Sequence, residues 1–95
     1  MTDEHLLALL RADLEQPSPT VNDYLMHLID VSKERIEKTG IVIDEESHGD
    51  AGIIVMYAAW LYRKRKTKES MSRMLRSAIN DRLFSQKGKV NDDDG

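Results

Sequence analysis

The chain of 95 residues contains no cysteine and only two prolines. Without cysteine it can form neither a disulfide framework nor a thiolate zinc site, and its composition fits a reducing compartment. Aromatic residues are also scarce, with one Trp, three Tyr and one Phe, whereas 33% of the residues are charged. This composition favours a small all-helical protein over a β-sandwich, and the length allows one domain.

Common signatures of enzymes are absent from the sequence. There is no glycine-rich phosphate loop, no His-Glu-x-x-His pair and no Gly-x-Ser-x-Gly turn. His5, His27 and His48 fall on separate predicted elements, so each is more simply a surface or core-edge residue than a metal ligand. We therefore expect no catalytic residues, no metal site and no cofactor.

The longest apolar run is too short to cross a membrane. It covers residues 53–62, ten positions without a charge, and four basic residues follow it at 63–66. A bilayer crossing needs about 20 apolar residues. We expect instead a helix buried on nearly every side, at the centre of a helical domain or in a subunit interface. The acidic residues near the start lead into no signal-type apolar core, so neither secretory export nor a membrane partner is expected.

Apolar periodicity and helix-breaking residues predict about four helices. The first covers about 3–15 and ends before Pro17, because proline lacks the amide donor. The second covers about 20–39, with Thr20 as its N-cap and Gly40 as its left-handed C-terminal cap.

The remaining chain predicts two further helices and a tail. The third helix covers about 50–66, with Asp50 as its cap, and the fourth runs from Thr67 or Ser70 to about Lys87. Residues 41–43 are β-branched and predict a short extended link or a single strand. Gly88 is expected to end the helical domain (residues 1–87), and residues 88–95 to form a flexible, disordered acidic tail.

Each amphipathic helix predicts an inward face. These faces consist of Leu6, Leu7, Leu10 and Leu14 in the first helix; Val21, Tyr24, Leu25, Leu28, Ile29, Ser32 and Ile36 in the second; and Met71, Met74, Leu75, Ala78, Ile79 and Leu83 in the fourth.

Charge is distributed unevenly along the chain. The net charge is −3, but residues 1–48 hold four Lys/Arg against eleven Asp/Glu (net −7), whereas residues 49–95 hold ten against six (net +4). Such a chain can associate head to tail with copies of itself, or present its basic half to a polyanion. The alternative is that both charged faces are merely solvated.

The basic cluster is the main candidate for contact with a partner. Its members are Arg63, Lys64, Arg65, Lys66 and Lys68. They would bind DNA phosphates in a channel or an acidic surface of a neighbouring subunit. The simpler interpretation is that they stabilise the helix dipole and cover apolar surface beneath them. Sequence-specific DNA recognition is not expected, because no helix-turn-helix precedes a base-reading helix.

Tyr57, Trp60 and Tyr62 project in different directions from the predicted third helix. A domain this small is not expected to bury all three. Any ring left outside would anchor a subunit interface, where aromatic residues are enriched.

Five segments of the chain form a recognisable combination. They are YLMHLI (24–29) running to Ile36, GI (40–41), MYAAWLYR (56–63), MLR (74–76) and NDRLFSQK (80–87). Together they resemble a known family, the small head-tail connector (head completion or adaptor) proteins of long-tailed bacteriophages. The resemblance covers about residues 5–87, with the segments in the family's order. The segment 82–87 is the most distinctive. The chain departs from the family at Ser72, where proline is frequent, and at Ser77, where an aromatic residue is frequent.

The resemblance implies an all-helical subunit that assembles as a ring of about 12–13 copies beneath the portal of a DNA-filled head. Such a ring extends the DNA channel and provides the docking surface for the next completion protein or the tail. The expected location is the head–tail junction of the virion, with the host cytoplasm during assembly. The family has no catalytic residues and grips the portal with its C-terminal segment. The portal-docking candidates are Phe84, Ser85, Gln86, Lys87 and Lys89.

A second function stays open at this point. The chain would alternatively be a small helical nucleic-acid-binding or regulatory protein that uses the basic cluster at 63–68. Salt-sensitive binding of the monomer to duplex DNA would distinguish it from a ring-forming subunit.

Overall fold

The domain is all-α, as the sequence predicts. In this computed structural model the backbone is described for residues 1–15 and 18–94, and the side chains for residues 1–15 and 18–86. Within this part lie four α-helices: α1 (Asp3–Asp13), α2 (Asn22–Lys38), α3 (His48–Thr67) and α4 (Arg73–Asp94). A 3-10 turn (Pro19–Val21) precedes α2. Residues 41–43 form an extended link, and the described chain contains no strand.

Helix α3 is the buried centre of the domain and packs against each of the other three helices. A helix that is apolar all round can be stable only when it is covered on most sides. The prediction of a buried third helix is confirmed. Its buried apolar side chains are Ala51, Ile53, Ile54, Val55, Tyr57, Ala58 and Ala59.

Helices α1 and α3 run in one direction, and α2 and α4 run in the other. Near the end of α2, Lys33 Nζ lies 2.7 Å from Asp3 Oδ1 at the start of α1. The opposite end of α1 meets the end of α3, where Arg63 contacts Asp13. Helix α4 returns along α3, so that Arg82 reaches the first turn of α3.

The predicted inward faces are largely confirmed. Ser32 is fully buried, and its hydroxyl donates to the Leu28 carbonyl at 2.7 Å, which satisfies the buried polar group. Tyr24 and Met74 are exceptions, because 38% and 73% of their surfaces are exposed. The face of α4 that packs inward contains Leu75 and Ile79, and Met74 lies about 100° around the helix from Leu75. The other buried members of the predicted faces are Leu6, Leu10, Leu25, Leu28, Ile29 and Ile36.

Two predicted N-caps are wrong. Thr20 does not cap α2; instead its amide donates to the Ser18 hydroxyl in the preceding turn, and Val21 makes no side-chain cap to α2. Asp50 does not cap α3, because Ser47 accepts from the Asp50 amide at 3.1 Å. The helix therefore begins at His48, which places Asp50 in its first turn, where the side chain is buried.

The boundaries of α4 also differ from those predicted. The helix begins at Arg73 rather than at Thr67 or Ser70, and the Ser72 hydroxyl accepts from the Leu75 amide at 3.1 Å. The backbone of α4 is helical to Asp94 and so continues past Gly88. The predicted flexible tail concerns residues whose side chains lie outside the described part, and it stays a prediction.

Gly40 adopts the positive φ (+108°) that the prediction of a left-handed cap requires. Its amide donates to the Glu37 carbonyl at 3.0 Å. The chain thereby leaves α2 and enters the link, where Ile41 is buried.

No helix in the described part of the chain has the length and apolar character needed to span a bilayer.

Candidate interaction surfaces

The basic cluster lies at the C-terminal end of α3, and part of it is engaged within the domain. Arg63 Nη2 lies 3.3 Å from Asp13 Oδ2 and 3.4 Å from the Asp13 carbonyl oxygen. Lys64 Nζ stands 4.6 Å from the centroid of the Trp60 ring. Lys66 and Lys68 are exposed and have no carboxylate partner among the described residues.

Arg65 covers two aromatic rings from different helices. Its guanidinium carbon lies 4.2 Å from the centroid of Tyr62 and 5.5 Å from that of Tyr24. Cations stack on aromatic faces because the ring quadrupole is negative there. The interpretation that these long side chains cover apolar surface therefore applies to Lys64 and Arg65, but their charges are not neutralised by this stacking.

The three aromatic interface candidates differ in burial. Tyr57 is only 8% exposed and packs edge-on against Trp60 with centroids 5.4 Å apart, so it belongs to the core and not to a subunit interface. Trp60 is partly buried, and its Nε1 donates to the Glu69 carbonyl at 3.1 Å. Tyr62 is partly buried against Tyr24, with centroids 6.4 Å apart.

A groove of about 310 Å³ runs between α2 and α3. Its apolar lining consists of Leu28, Val31 and Leu61. Its polar lining consists of Tyr24, His27, Arg35, Lys64 and Arg65. The sequence analysis missed this surface, because Arg35 and His27 come from α2 and join the basic cluster only when the helices pack.

Among the portal-docking candidates, Phe84 and Ser85 are exposed, and Phe84 shows 78% of its surface. Gln86 is engaged within the domain: its Oε1 accepts from the Val42 amide and its Nε2 donates to the Gly40 carbonyl, both at 2.8 Å. It therefore joins α4 to the link and is not free for docking. The side chains of Lys87 and Lys89 lie outside the described part.

A buried ion pair that the sequence analysis did not predict connects α3 and α4. Asp50 is 3% exposed, and its Oδ1 and Oδ2 accept from Arg82 Nε and Nη2 at 2.7 and 3.1 Å. The Asp44 amide donates to the same carboxylate at 2.8 Å, and Arg82 Nη2 also donates to the Val42 carbonyl at 2.8 Å. No local sequence pattern predicts this pair, because its two residues are 32 positions apart.

The surroundings of this pair shift both pKa values. Burial by itself would raise the pKa of Asp50, but the hydrogen bonds from Arg82 and from the Asp44 amide, with the charge of Arg82, lower it below its ordinary value. The hydrogen bond to Asp50 raises the pKa of Arg82, against the effect of its burial. The pair is ionised at neutral pH and ties α4 to the rest of the domain.

The histidines do not converge in the described structure. His5 lies in α1, His27 in α2 and His48 at the start of α3, and all three are exposed. Among the residues with described side chains, no group of three or more His, Cys, Asp or Glu is placed to hold a metal ion.

The fold gathers charge of opposite sign at its two ends. The end where α1 and α3 begin, hereafter the acidic end, carries exposed carboxylates, and both lysines nearby are paired: Lys33 with Asp3 and Lys38 with Glu34. At the other end, hereafter the basic end, six cations have no carboxylate partner in the described part of the chain. The acidic end comprises Asp3, Glu4, Glu34, Glu37, Asp44, Glu45 and Glu46, and the basic end comprises Lys64, Arg65, Lys66, Lys68, Arg73 and Arg76. Four exposed carboxylates also lie at the basic end, but they are fewer than its cations: Asp13, which pairs with Arg63, and Glu15, Asp23 and Glu69.

Comparison of the chain with protein-family models, with curated proteins and with solved structures gives no match.

Proposed function

We propose that this protein is a structural subunit of virion assembly, a head-tail connector that forms a ring between the portal and the tail-side completion proteins. The ring extends the DNA channel, and the subunit works at the head–tail junction after assembly in the host cytoplasm. The proposal rests on the segments that resemble the connector family and on the surfaces of the domain. It requires partners of three kinds: copies of itself, the portal and a downstream head-completion or tail protein.

The observation that carries the proposal is the separation of charge between the acidic and basic ends. A surface that complements a different surface of the same molecule gives a heterologous contact, and heterologous contacts that close produce rings. None of the six cations at the basic end has a carboxylate partner among the described residues, and the stacking of Lys64 and Arg65 on aromatic rings leaves their charges uncompensated. A neighbouring copy offers carboxylates to them, and charge complementarity fixes the orientation of the contact.

Exposed apolar side chains on α4 support a second contact surface. Phe84 is 78% exposed and Met74 is 73% exposed. Large aromatic side chains are enriched in interfaces, where their burial contributes most of the affinity. Phe84 belongs to the segment that resembles the portal-gripping part of the family, so we assign it to portal docking.

Negative-stain microscopy with mass measurement, with and without the portal protein, tests the proposal. We expect ring-shaped particles of many copies, at least when the portal is present. Concentrated protein that stays monomeric and does not bind the portal would contradict it. A Phe84→Ser variant should still be folded but bind the portal more weakly, whereas a Ser77→Ala variant on the same helix serves as a control.

The unpartnered cations also favour one alternative, a small nucleic-acid-binding or regulatory protein. Cations that replace counterions on DNA phosphates give an affinity that falls steeply with salt. A salt-sensitive mobility shift of duplex DNA by the monomer at micromolar concentration, without ring particles, would favour this alternative. Ring particles that do not bind free DNA would favour the connector.

A further inference from the structure

The groove between α2 and α3 combines an apolar floor with a cationic rim. Its apolar lining, here called the floor, consists of Leu28, Val31 and Leu61; Val31 and Leu61 are partly exposed, and Leu28 is 7% exposed. Arg35, Lys64 and Arg65 stand on the rim, and no carboxylate pairs with them in the described part of the structure. A ligand that matches this groove presents an apolar side chain beside carboxylates.

A segment of the same chain has that chemistry and lies at the acidic end. In the link after α2, Val42 is 72% exposed although it is a β-branched apolar residue. Glu45 and Glu46 follow it, are exposed and make no side-chain ion pair in the described structure. The backbone here is held in place, since the Val42 amide and carbonyl bind Gln86 and Arg82. The segment 42–46 is therefore an ordered acidic loop with one exposed apolar side chain, Val42, at its start, since Ile43 packs against the core.

We propose that this loop of one copy docks into the α2–α3 groove of the next copy. Val42 contacts the apolar floor, and the carboxylates of Glu45 and Glu46 approach Lys64, Arg65 and Arg35. The groove and the loop are different surfaces, so every copy uses both and the contact repeats head to tail. This inference rests on the proposed ring assembly and names the surfaces that form it. Partly desolvated charge pairs at such a contact contribute to affinity and fix its register.

Two complementary variants reduce the repeating assembly to one contact. The loop variant, Glu45→Lys/Glu46→Lys, has an unchanged groove, but the cations of a normal groove repel its lysine-bearing loop. The groove variant, Lys64→Ala/Arg65→Ala, keeps its loop, but its groove offers neither the cations that bind a normal loop nor carboxylates that would bind the lysine loop. Each alone should be monomeric. Mixed together, they can form one contact, between the loop of the groove variant and the groove of the loop variant, and should give a 1:1 dimer.

The measurement is analytical ultracentrifugation of the mixture, with NMR of the ¹⁵N-labelled loop variant. We expect a dimer, with shifts concentrated at the groove amides of α2 and α3, and an affinity that weakens about tenfold or more between low and high salt. A matched control, Lys66→Ala/Arg76→Ala, removes the same number of charges at the basic end outside the groove, so it should still assemble. A chain that carries Glu45→Lys/Glu46→Lys together with Lys64→Glu/Arg65→Glu should recover self-assembly, because the charges of its loop and groove are exchanged. Circular dichroism checks that every variant is folded.

The outcomes separate the contact from the ring. If wild-type protein forms rings but the mixed variants do not bind each other, the contact is wrong and the connector proposal survives. If the wild type forms no particles with the portal and the variants do not bind, both are wrong. Dimerisation without wild-type particles supports the contact and overturns the ring. If duplex DNA shifts the groove amides of the wild type but not those of the groove variant, DNA is the occupant of the groove and the loop contact is wrong.

Discussion

Removal of Arg82 should destabilise the domain more than removal of Asp50, its partner. In an Arg82→Leu variant the carboxylate of Asp50, 3% exposed, keeps only the Asp44 amide as a donor. An uncompensated buried charge costs about 3–5 kcal/mol. In Asp50→Ala the side chain of Arg82, 23% exposed, still reaches water and the Val42 carbonyl, so we expect a smaller cost of about 1.5–3 kcal/mol.

The difference between the wild type and Arg82→Leu should depend on pH. In the wild type the pKa of Asp50 is lowered, so the pair stabilises the fold above the ordinary carboxyl pKa of about 3.9 and loses this contribution as pH falls through the lowered value. Without Arg82, burial dominates and raises the pKa of Asp50. The folded variant then binds a proton more readily than the unfolded chain, so its relative stability improves on acidification.

Urea unfolding at pH 7 and pH 4, followed by circular dichroism, measures these effects. A loss of this size is a large part of the total stability, about 0.05–0.15 kcal/mol per residue. The double variant Asp50→Ala/Arg82→Leu should be less destabilised than the sum of the single variants, with a coupling free energy of about 0.5–3 kcal/mol. An equal gap at both pH values, or a larger loss from Asp50→Ala than from Arg82→Leu, would refute the reasoning.

Three further predictions concern single residues. Ser47→Ala removes the side chain that caps α3 and should cost about 1 kcal/mol in the free energy of unfolding, whereas Ser47→Asp should cost little. Gly52→Ala should stabilise the domain by about 1 kcal/mol, since a Cβ there meets nothing within 4 Å and alanine favours a helix interior. A lower midpoint temperature of thermal unfolding in this variant would contradict the prediction. Phe84→Ser should change the free energy of unfolding by less than about 0.5 kcal/mol, because the ring is exposed, and a larger loss would show that the ring packs within the domain.

The sequence by itself determined the fold class, the central helix and most of the core. These features depend on local periodicity: a ten-residue apolar run predicts a helix that is buried on most sides, and an apolar stripe at helical spacing predicts an inward face. The cap at Gly40 was predictable for the same reason, because a positive φ is a property of one residue and its neighbours. The connector function and its partners stay proposals, since no comparison with known proteins bears on them.

Only the tertiary structure decided the role of Asp50, because the choice between capping α3 and pairing with Arg82 depends on where α4 packs. Helix packing also buries Tyr57 in the core and brings Gln86 of α4 into hydrogen-bonding contact with the link. The groove between α2 and α3 likewise exists only after packing, when Arg35 from one helix lines the same groove as Lys64 and Arg65 from another. Contacts between residues distant in sequence leave no local periodicity, so residue patterns along the chain could not reveal them.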